Sequence, residues 1–428
     1  MQSLSSVLTI TGAAFVAASL ALALTQAPLG SPPFFAMAAV MGAAYGVMLW
    51  RVWHVPAAPR RLLYAAFAIA VAVRVPLAAP RVGHDNDMVR YVWDGRVQTL
   101  GYNPYAVLPA DPAMASTHND ETREMPSRRA RTPYPPGAQL FFRLIVSLHD
   151  SSRAMKVALV FCDLMTMIVL WRWLILTGRS EWLTLAYAWN PLVVLEVAHS
   201  GHIDVLGALW ITASAFWLAR KRTSLSVVAF VLAVTTKLLP IVLVPLYIGR
   251  VKMRDALLGG VLFALLYLPF TYGGTLPFGA VPNVVAHIRF NGPLFRAVAG
   301  IATPQVAASA AVGLGFLVAV WARWRWRADE PAAWAWPMAA ALAGAPVIYP
   351  WYLLYLTPFL FSVAALPLVV WTFSVLPVYV VWQVARHGGR WMVPTGVMVI
   401  EYGVVLAALA WLMWKRRVTS LPASRSTG

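Results

Sequence analysis

Residues His84-Asp85-Asn86-Asp87-Met88-Val89-Arg90-Tyr91-Val92-Trp93-Asp94-Gly95-Arg96, running on to Asn103-Pro104-Tyr105, put carboxylates, guanidiniums and aromatic rings side by side in a chain that is otherwise mostly hydrocarbon. A carboxylate can take a proton from a hydroxyl, and a cation can hold a phosphate. Asp85, Asp87, Asp94, Asp111, Asp120, Glu121, Glu124 and Asp150, all between Arg81 and Ser152, are half of the 16 acids in the protein. At about 100° per residue, a helix over 87–100 places Asp87, Arg90, Tyr91, Asp94 and Gln98 on one stripe, with Val89, Val92, Trp93, Val97 and Leu100 opposite. Such a segment is too short and too charged to span a bilayer. It reads as a helix lying at a membrane surface, apolar side down, its acidic stripe facing a cavity or water.

The rest of the chain must hold that stretch in place, and its composition says how. Of 428 residues, 60% are hydrophobic and only 12% charged, which is the profile of a polytopic membrane protein and argues against a soluble one. The net charge of +18 does not point to nucleic acid, because the Lys and Arg come in short clusters between apolar runs, as the positive-inside rule expects. Cys162, the one cysteine, lies inside an apolar run, so it reads as a packing residue and no disulfide or cysteine metal site follows. No basic stretch precedes the first apolar run, so that run is expected to remain as a span and not to be cleaved as a signal peptide.

Apolar runs at about 6–24, 33–53 and up to Ala79 flank Arg51, Arg60 and Arg61, which places the N-terminus and this cluster inside and delivers residues 80–152 to the outer face as one long loop. Its prolines break it into short pieces, yet its aromatic and amphipathic content speaks for a structured loop. Runs at about 153–176 and 182–198 lead back to His199-Ser200-Gly201-His202-Ile203-Asp204, which should surface beside the acidic loop; the sixth run ends at Arg220-Lys221-Arg222. Residues 224–249 read as a broken membrane hairpin with Lys237 and Pro240 near its tip, because a single span would strand Arg250, Lys252 and Arg254 outside. Further runs at about 256–272, 305–321, 331–348 and 393–414, with an aromatic turn Tyr349-Pro350-Trp351-Tyr352, bring the expectation to roughly 11–13 spans at about 20 residues each, in one integral membrane domain over 1–428.

The pattern Asp-x-Asp-x-x-Arg-Tyr-x-Trp-Asp-Gly-Arg from Asp85, followed by Gly-x-Asn-Pro-Tyr and Tyr134-Pro135-Pro136-Gly137, resembles bacterial members of the GT-C glycosyltransferase superfamily, particularly polyprenyl-phosphate-mannose-dependent mannosyltransferases. Asn190-Pro191-Leu192 with Glu196, Gly201-His202-Ile203-Asp204, Thr236-Lys237-Leu238-Leu239-Pro240, Phe290-Asn291-Gly292 and Pro350-Trp351-Tyr352 fit as well, so the likeness runs from about residue 74 to 360. It implies an all-α, polytopic GT-C-type fold in the plasma (inner) membrane, with the active site facing the periplasmic or extracellular side. Many relatives place the acidic loop after their first span; here three spans precede it. The implied activity is an inverting transfer of a sugar, most readily mannose, from a polyprenyl-phosphate donor to a lipid-linked or glycan acceptor.

In that superfamily an acid of the first long outer loop serves as base, and Asp85 and Asp87 match the pair. Asp87 is the better candidate, at a helix start whose dipole favours its anionic form; the plainer role for either acid, or for Asn86, is to cap the helix. For the departing phosphate the candidates are Lys237, Arg289, Arg90 and Arg96, with Lys237 the most telling because an ammonium at membrane depth is costly without a partner, although it could also snorkel to an edge. Asp94, His202, Asp204, Tyr134 and Glu196 are candidates for binding substrate. His202 and Asp204 could instead hold a divalent cation with the loop acids or cap the sixth span, and metal use stays open. Asp163 and Glu401 are further acids in apolar runs, Glu401 the more suited to a local polar contact. Trp93, Tyr105, Tyr134, Trp351 and Tyr352 could stack on sugars, but such residues also populate interfacial belts. The rival class is a secondary transporter or flippase of lipid-linked sugars, against which stand the acid-rich loop and the absence of a visible inverted repeat.

Overall fold

Apolar runs bounded by Pro, Gly and basic residues become helices in the computed structural model, which describes residues 4–54, 59–79, 86–123, 125–274 and 276–420. In chain order these are α1 (Leu4–Thr25), α2 (Pro32–His54), α3 (Arg60–Leu77), α4 (Asn86–Thr99), α5 (Pro136–Leu148) and α6 (Ser152–Leu176). After a broken stretch over 181–199 come α7 (Asp204–Ala219), α8 (Thr223–Thr236), a tight 3-10 segment Leu239–Tyr247, α9 (Met253–Tyr267), α10 (Val281–His287), α11 (Pro293–Ala299), α12 (Pro304–Arg325) and α13 (Pro331–Ala343). The composite Val363–Arg386 (α14) and Thr395–Ser420 (α15) complete the chain. Among the described residues the one extended pairing is an isolated bridge between Phe290 and Val347, so the fold is all-helical.

Among the described residues seven helices are long and apolar enough to cross a bilayer: α1, α2, α6, α9 with its 3-10 end, α12, α14 and α15. The protein is therefore a multi-pass integral membrane protein. Several further runs among the roughly 11–13 expected form shorter or broken elements. α3 has 18 residues but carries Arg60, Arg61 and Arg74, and α7 and α8 have 16 and 14. The run expected at 182–198 is interrupted by Asn190-Pro191 and continues as a wide π turn over Val194–His199. Wide turns of this kind recur at functional sites.

The expected basic clusters do gather at one end. There Arg60 pairs with Glu181 at 2.9 Å, Arg179 with Glu330 at 3.0 Å, and Arg250 donates to the Trp326 carbonyl at 2.7 Å. The 86–152 segment sits at the other end, on the side where Arg386 holds the Leu29 carbonyl between α1 and α2.

That outer segment corrects one expectation. α4 does form where the periodicity places it, but from Met88 to Gln98 every residue is buried, Arg90, Tyr91, Asp94 and Gln98 of the polar stripe included, and only Asp87 at its start stays partly open. Its apolar side is not laid on lipid; Val89, Trp93 and Val97 pack with Met114 and Met125 from the same loop. Trp93 donates to Thr117 Oγ1 at 2.9 Å, and Arg96 joins Asp150 at 2.6 Å while also donating to the Thr117 carbonyl at 3.0 Å. The loop thus makes its own small core, with α4 as its axis. Asn103, which opens the Asn-Pro-Tyr turn, ties it to the bundle by donating to the Phe270 carbonyl at 2.9 Å.

Candidate functional site

Four pieces of chain meet at the end that carries the 86–152 segment because their local sequences stop helices there. α8 ends at Lys237, whose backbone is extended at φ −158°, and Pro240 three residues on cannot continue an α-helical ladder. Thr235 and Thr236 hydroxyls donate back to Val231 and Leu232 carbonyls at 2.9 and 2.8 Å, partners of the kind that make a break at membrane depth tolerable. The expected break at Lys237 is therefore present. α7 begins at Asp204 after the turn Ser200-Gly201-His202. Gly201 has φ +81°, and a Cβ there would come within 2.2 Å of Met88 in the first turn of α4, so only glycine lets this turn close on the acidic helix. Tyr91 of α4 completes the contact by accepting from the Ile203 N–H at 3.4 Å.

These approaches enclose a cavity of about 690 Å³. Its polar wall comes from Asp87, Tyr134, Asp204, Lys237 and the ring cluster Tyr349, Trp351, Tyr352 and Tyr355. Its apolar wall comes from Ile241 and Val242, from Val281, Val284, Val285 and Ile288 at α10, and from Ala308, Ala311 and Val312 of α12 facing Ala341 and Leu342 of α13. The cavity therefore offers a charged, aromatic wall and a long aliphatic one.

Lys237 Nζ donates to both oxygens of Asp204, at 2.7 and 2.9 Å, and stands 3.9 Å from the centre of the Tyr352 ring. Asp204 is buried, while the lysine side chain stays 22% exposed, so the ammonium keeps a side toward the cavity. An unpartnered charge at that depth would cost roughly 2.5–3.5 kcal/mol on insertion scales, which the ion pair and the ring offset. Asp87, in the first turn of α4, is hydrogen-bonded to Tyr134. Burial first, then the Asp87 carboxylate, pushes the Tyr134 phenol well above its ordinary range, so it stays a protonated donor to that carboxylate. The Tyr355 ring lines the cavity wall, while its buried hydroxyl is turned against Gly207 of α7 and has no hydrogen-bond partner among the described residues.

Of the site residues expected from sequence, Asp87, Tyr134, Asp204 and Lys237 are brought together on this cavity, with Trp351 and Tyr352. Asp85 lies outside the described residues. Asp94 does not face the cavity: it is fully buried, paired with Arg90 at 2.6 Å and accepting from Gln139 at 2.8 Å. Arg90 also donates to the Ala130 carbonyl at 2.9 Å, and Arg96 is engaged with Asp150, so both guanidiniums brace the loop and neither lines the cavity. Arg289 closes the end of α10, donating to the carbonyls of Val285, Ala286 and Ile288, and packs on Phe295. Glu196 and His202 pair with each other at 2.9 Å one layer behind the wall, where His202 stacks on Trp351 with ring centres 3.9 Å apart.

His202 and Asp204 thus turn to different partners, and among the described residues no three His, Cys, Asp or Glu side chains form a group that could hold a metal. Glu401 accepts from Asn291 and Trp371, each at 2.8 Å, which is the local polar contact expected of it. Sequence reasoning missed Tyr349 and Tyr355 as wall residues, Gln139 as the partner of Asp94, and Asp150 as the partner of Arg96. Only Tyr349 carried a signal, its place in the aromatic turn. In comparisons with known proteins, no family model, no curated protein and no solved structure matches the chain.

Proposed function

We propose that the protein is an inverting glycosyltransferase of GT-C type, moving a sugar, mannose by resemblance, from a polyprenyl-phosphate donor to a lipid-linked or glycan acceptor on the outer face of the plasma membrane. The observation that carries this reading is the two-sided cavity, whose charged, aromatic wall continues into an aliphatic trough. An amphiphile with a sugar-phosphate head and a hydrocarbon tail fits both walls. In this reading the Asp87 carboxylate takes the proton of an acceptor hydroxyl as its oxygen bonds to the anomeric carbon, and the lipid phosphate leaves from the opposite face with the bonding electrons. Lys237, positioned by its pair with Asp204, receives the negative charge of the departing phosphate. Tyr134 orients Asp87, and the rings of Trp351 and Tyr352 offer faces to the sugar.

Radiolabelled polyprenyl-phosphate mannose and purified protein in detergent test it directly. Release of free polyprenyl phosphate with label on an added acceptor is the expected outcome. Movement of intact label across the membrane of reconstituted vesicles, with no cleavage of the sugar–phosphate bond, would assign the cavity to a flippase instead.

A further inference from the structure

The second charged cleft of the molecule lies at the end opposite Asp87, where the connections α7–α8, 247–253 and α12–α13 meet. It has a volume of about 550 Å³, and its charged lining is Lys221, Arg250, Lys252, Arg254 and Arg327 against the single acid Asp329. Basic residues near span ends are ordinary topology signals, but here they converge from three separate connections on one cavity. Two acids stand against these five cations: Asp329 pairs with Arg327 at 3.1 Å, and nearby Asp255, held by the hydroxyls of Thr223 and Ser224 at 2.7 and 2.6 Å, also lies 3.8 Å from Arg254.

Arg250 is the pivot. Its Nη2 donates to the Trp326 and Arg323 carbonyls at 2.7 and 3.3 Å, and its Nη1 has no hydrogen-bond partner among the described residues. Arg323 is fixed close by through the Ile248 carbonyl at 2.6 Å, beside Gly249, whose φ of +68° suits glycine. Half-burial first, then the charge of Arg323, lowers the Arg250 pKa below its ordinary value, the mark of a cation short of an anion. Around this cleft the exposed residues turn apolar: Ile248, Met253, Leu257 and Trp324 are all more than half exposed.

We propose that this cleft binds the headgroup phosphate of an anionic phospholipid from the leaflet on this side, with the acyl chains lying along Ile248, Met253, Leu257 and Trp324. A phosphate diester offers acceptors to several guanidiniums at once, and the apolar rim favours a lipid over a free anion. The inference stands apart from the proposed transfer reaction, which uses the other end of the molecule.

The test is native mass spectrometry of the purified full chain, delipidated in neutral detergent and offered dioleoylphosphatidylglycerol, dioleoylphosphatidylcholine or inorganic phosphate. The wild type should retain phosphatidylglycerol over phosphatidylcholine. The double variant Lys252→Gln/Arg254→Gln, at two exposed side chains, should lose affinity by roughly fivefold per charge, the equivalent of about 1 kcal/mol each, with the unfolding midpoint measured alongside to confirm that the fold is kept. Arg250→Gln should lose at least as much, while Lys415→Gln on α15 should leave retention unchanged. Equal retention of the two lipids, an unaltered double variant, or displacement of the lipid by millimolar inorganic phosphate would overturn the assignment.

Discussion

Two of the ion pairs in this protein, Arg74–Asp163 and Lys237–Asp204, differ in what their remaining valences face. Arg74 of α3 and Asp163 of α6 are both essentially inaccessible. Arg74 also donates to the carbonyls of Ala70 and Ala188 at 2.7 and 3.0 Å, and Tyr187 donates to Asp163 at 2.8 Å. Nothing in this cluster points at a cavity. Lys237 and Asp204 are as directly paired, but the ammonium is partly open and both residues line the large outer cavity. An intramembrane charge is by default a functional candidate. The contrast shows that the default holds only where an unfilled direction meets space for a ligand; Arg74 and Asp163 are explained by packing three elements together.

The largest expected effect tests whether the open region carries chemistry at all. Asp87→Asn keeps the size and most hydrogen bonding of the side chain but cannot take a proton at neutral pH. Single-turnover transfer from bound donor should slow by about 10²–10⁴, with donor affinity little changed. A helix-start carboxylate acting only as a cap would instead cost about 0.5–2 kcal/mol of local stability and leave the rate near wild type. That outcome would move the base to Asp85.

Next in size are matched changes at the two pairs. Asp163→Asn leaves Arg74 as an uncompensated buried charge, and breaking such a pair costs about 3–5 kcal/mol. The thermal unfolding midpoint in detergent should fall sharply, while the protein that stays folded keeps its affinity for donor. Lys237→Met also leaves the buried Asp204 carboxylate unpaired and should lower the midpoint too, but unlike Asp163→Asn it should weaken donor binding in the folded protein by roughly 10- to 100-fold, the worth of a charged hydrogen bond, with Lys237→Arg milder. Equal donor use by all three Lys237 forms would show that the ammonium only neutralises Asp204, and the two pairs would then be of one kind.

Much of this division was present in the sequence, and the reasons it was incomplete are physical. Hydropathy marked the long apolar helices because lipid imposes the same demand on every spanning segment. The break at Lys237 was legible because proline and a lysine at membrane depth conflict with a continuous helix. Asp87, Tyr134, Asp204 and Lys237 could be nominated from residue type and motif, and their convergence adds support that spacing alone could not give. The failures lie where a residue's partner is remote in sequence. Arg96 and Asp94 sit on the helix where periodicity put them, yet Asp150 and Gln139, 54 and 45 residues away, decide what their polar atoms do. Likewise the apolar face of α4 could be assigned to lipid or to protein from its pattern alone, and the loop residues Met114 and Met125 cover it.

Glu196 stands between the two kinds of region and gives the finest test of the comparison. Like Asp163 it is fully buried and satisfied, accepting from the Tyr379 hydroxyl at 2.7 and 2.8 Å and pairing with His202 at 2.9 Å. Unlike Asp163, it is one ring away from the cavity, because His202 stacks on Trp351, and Trp351 in turn stacks on Tyr349 with centres 4.4 Å apart. If enclosure alone decided function, Glu196→Gln would change stability and nothing else. If position behind the wall matters, the ring stack loses its anchor, and the change should appear as a several-fold rise in KM for donor, with kcat nearly constant, since uniform binding and not transition-state contact has been loosened. Glu196→Asp shortens the side chain but keeps the charge that holds His202, so it should recover part of the KM. A Glu196→Gln protein with unaltered KM and a lowered unfolding midpoint would place Glu196 with the closed pair and make the cavity wall independent of the carboxylate behind it.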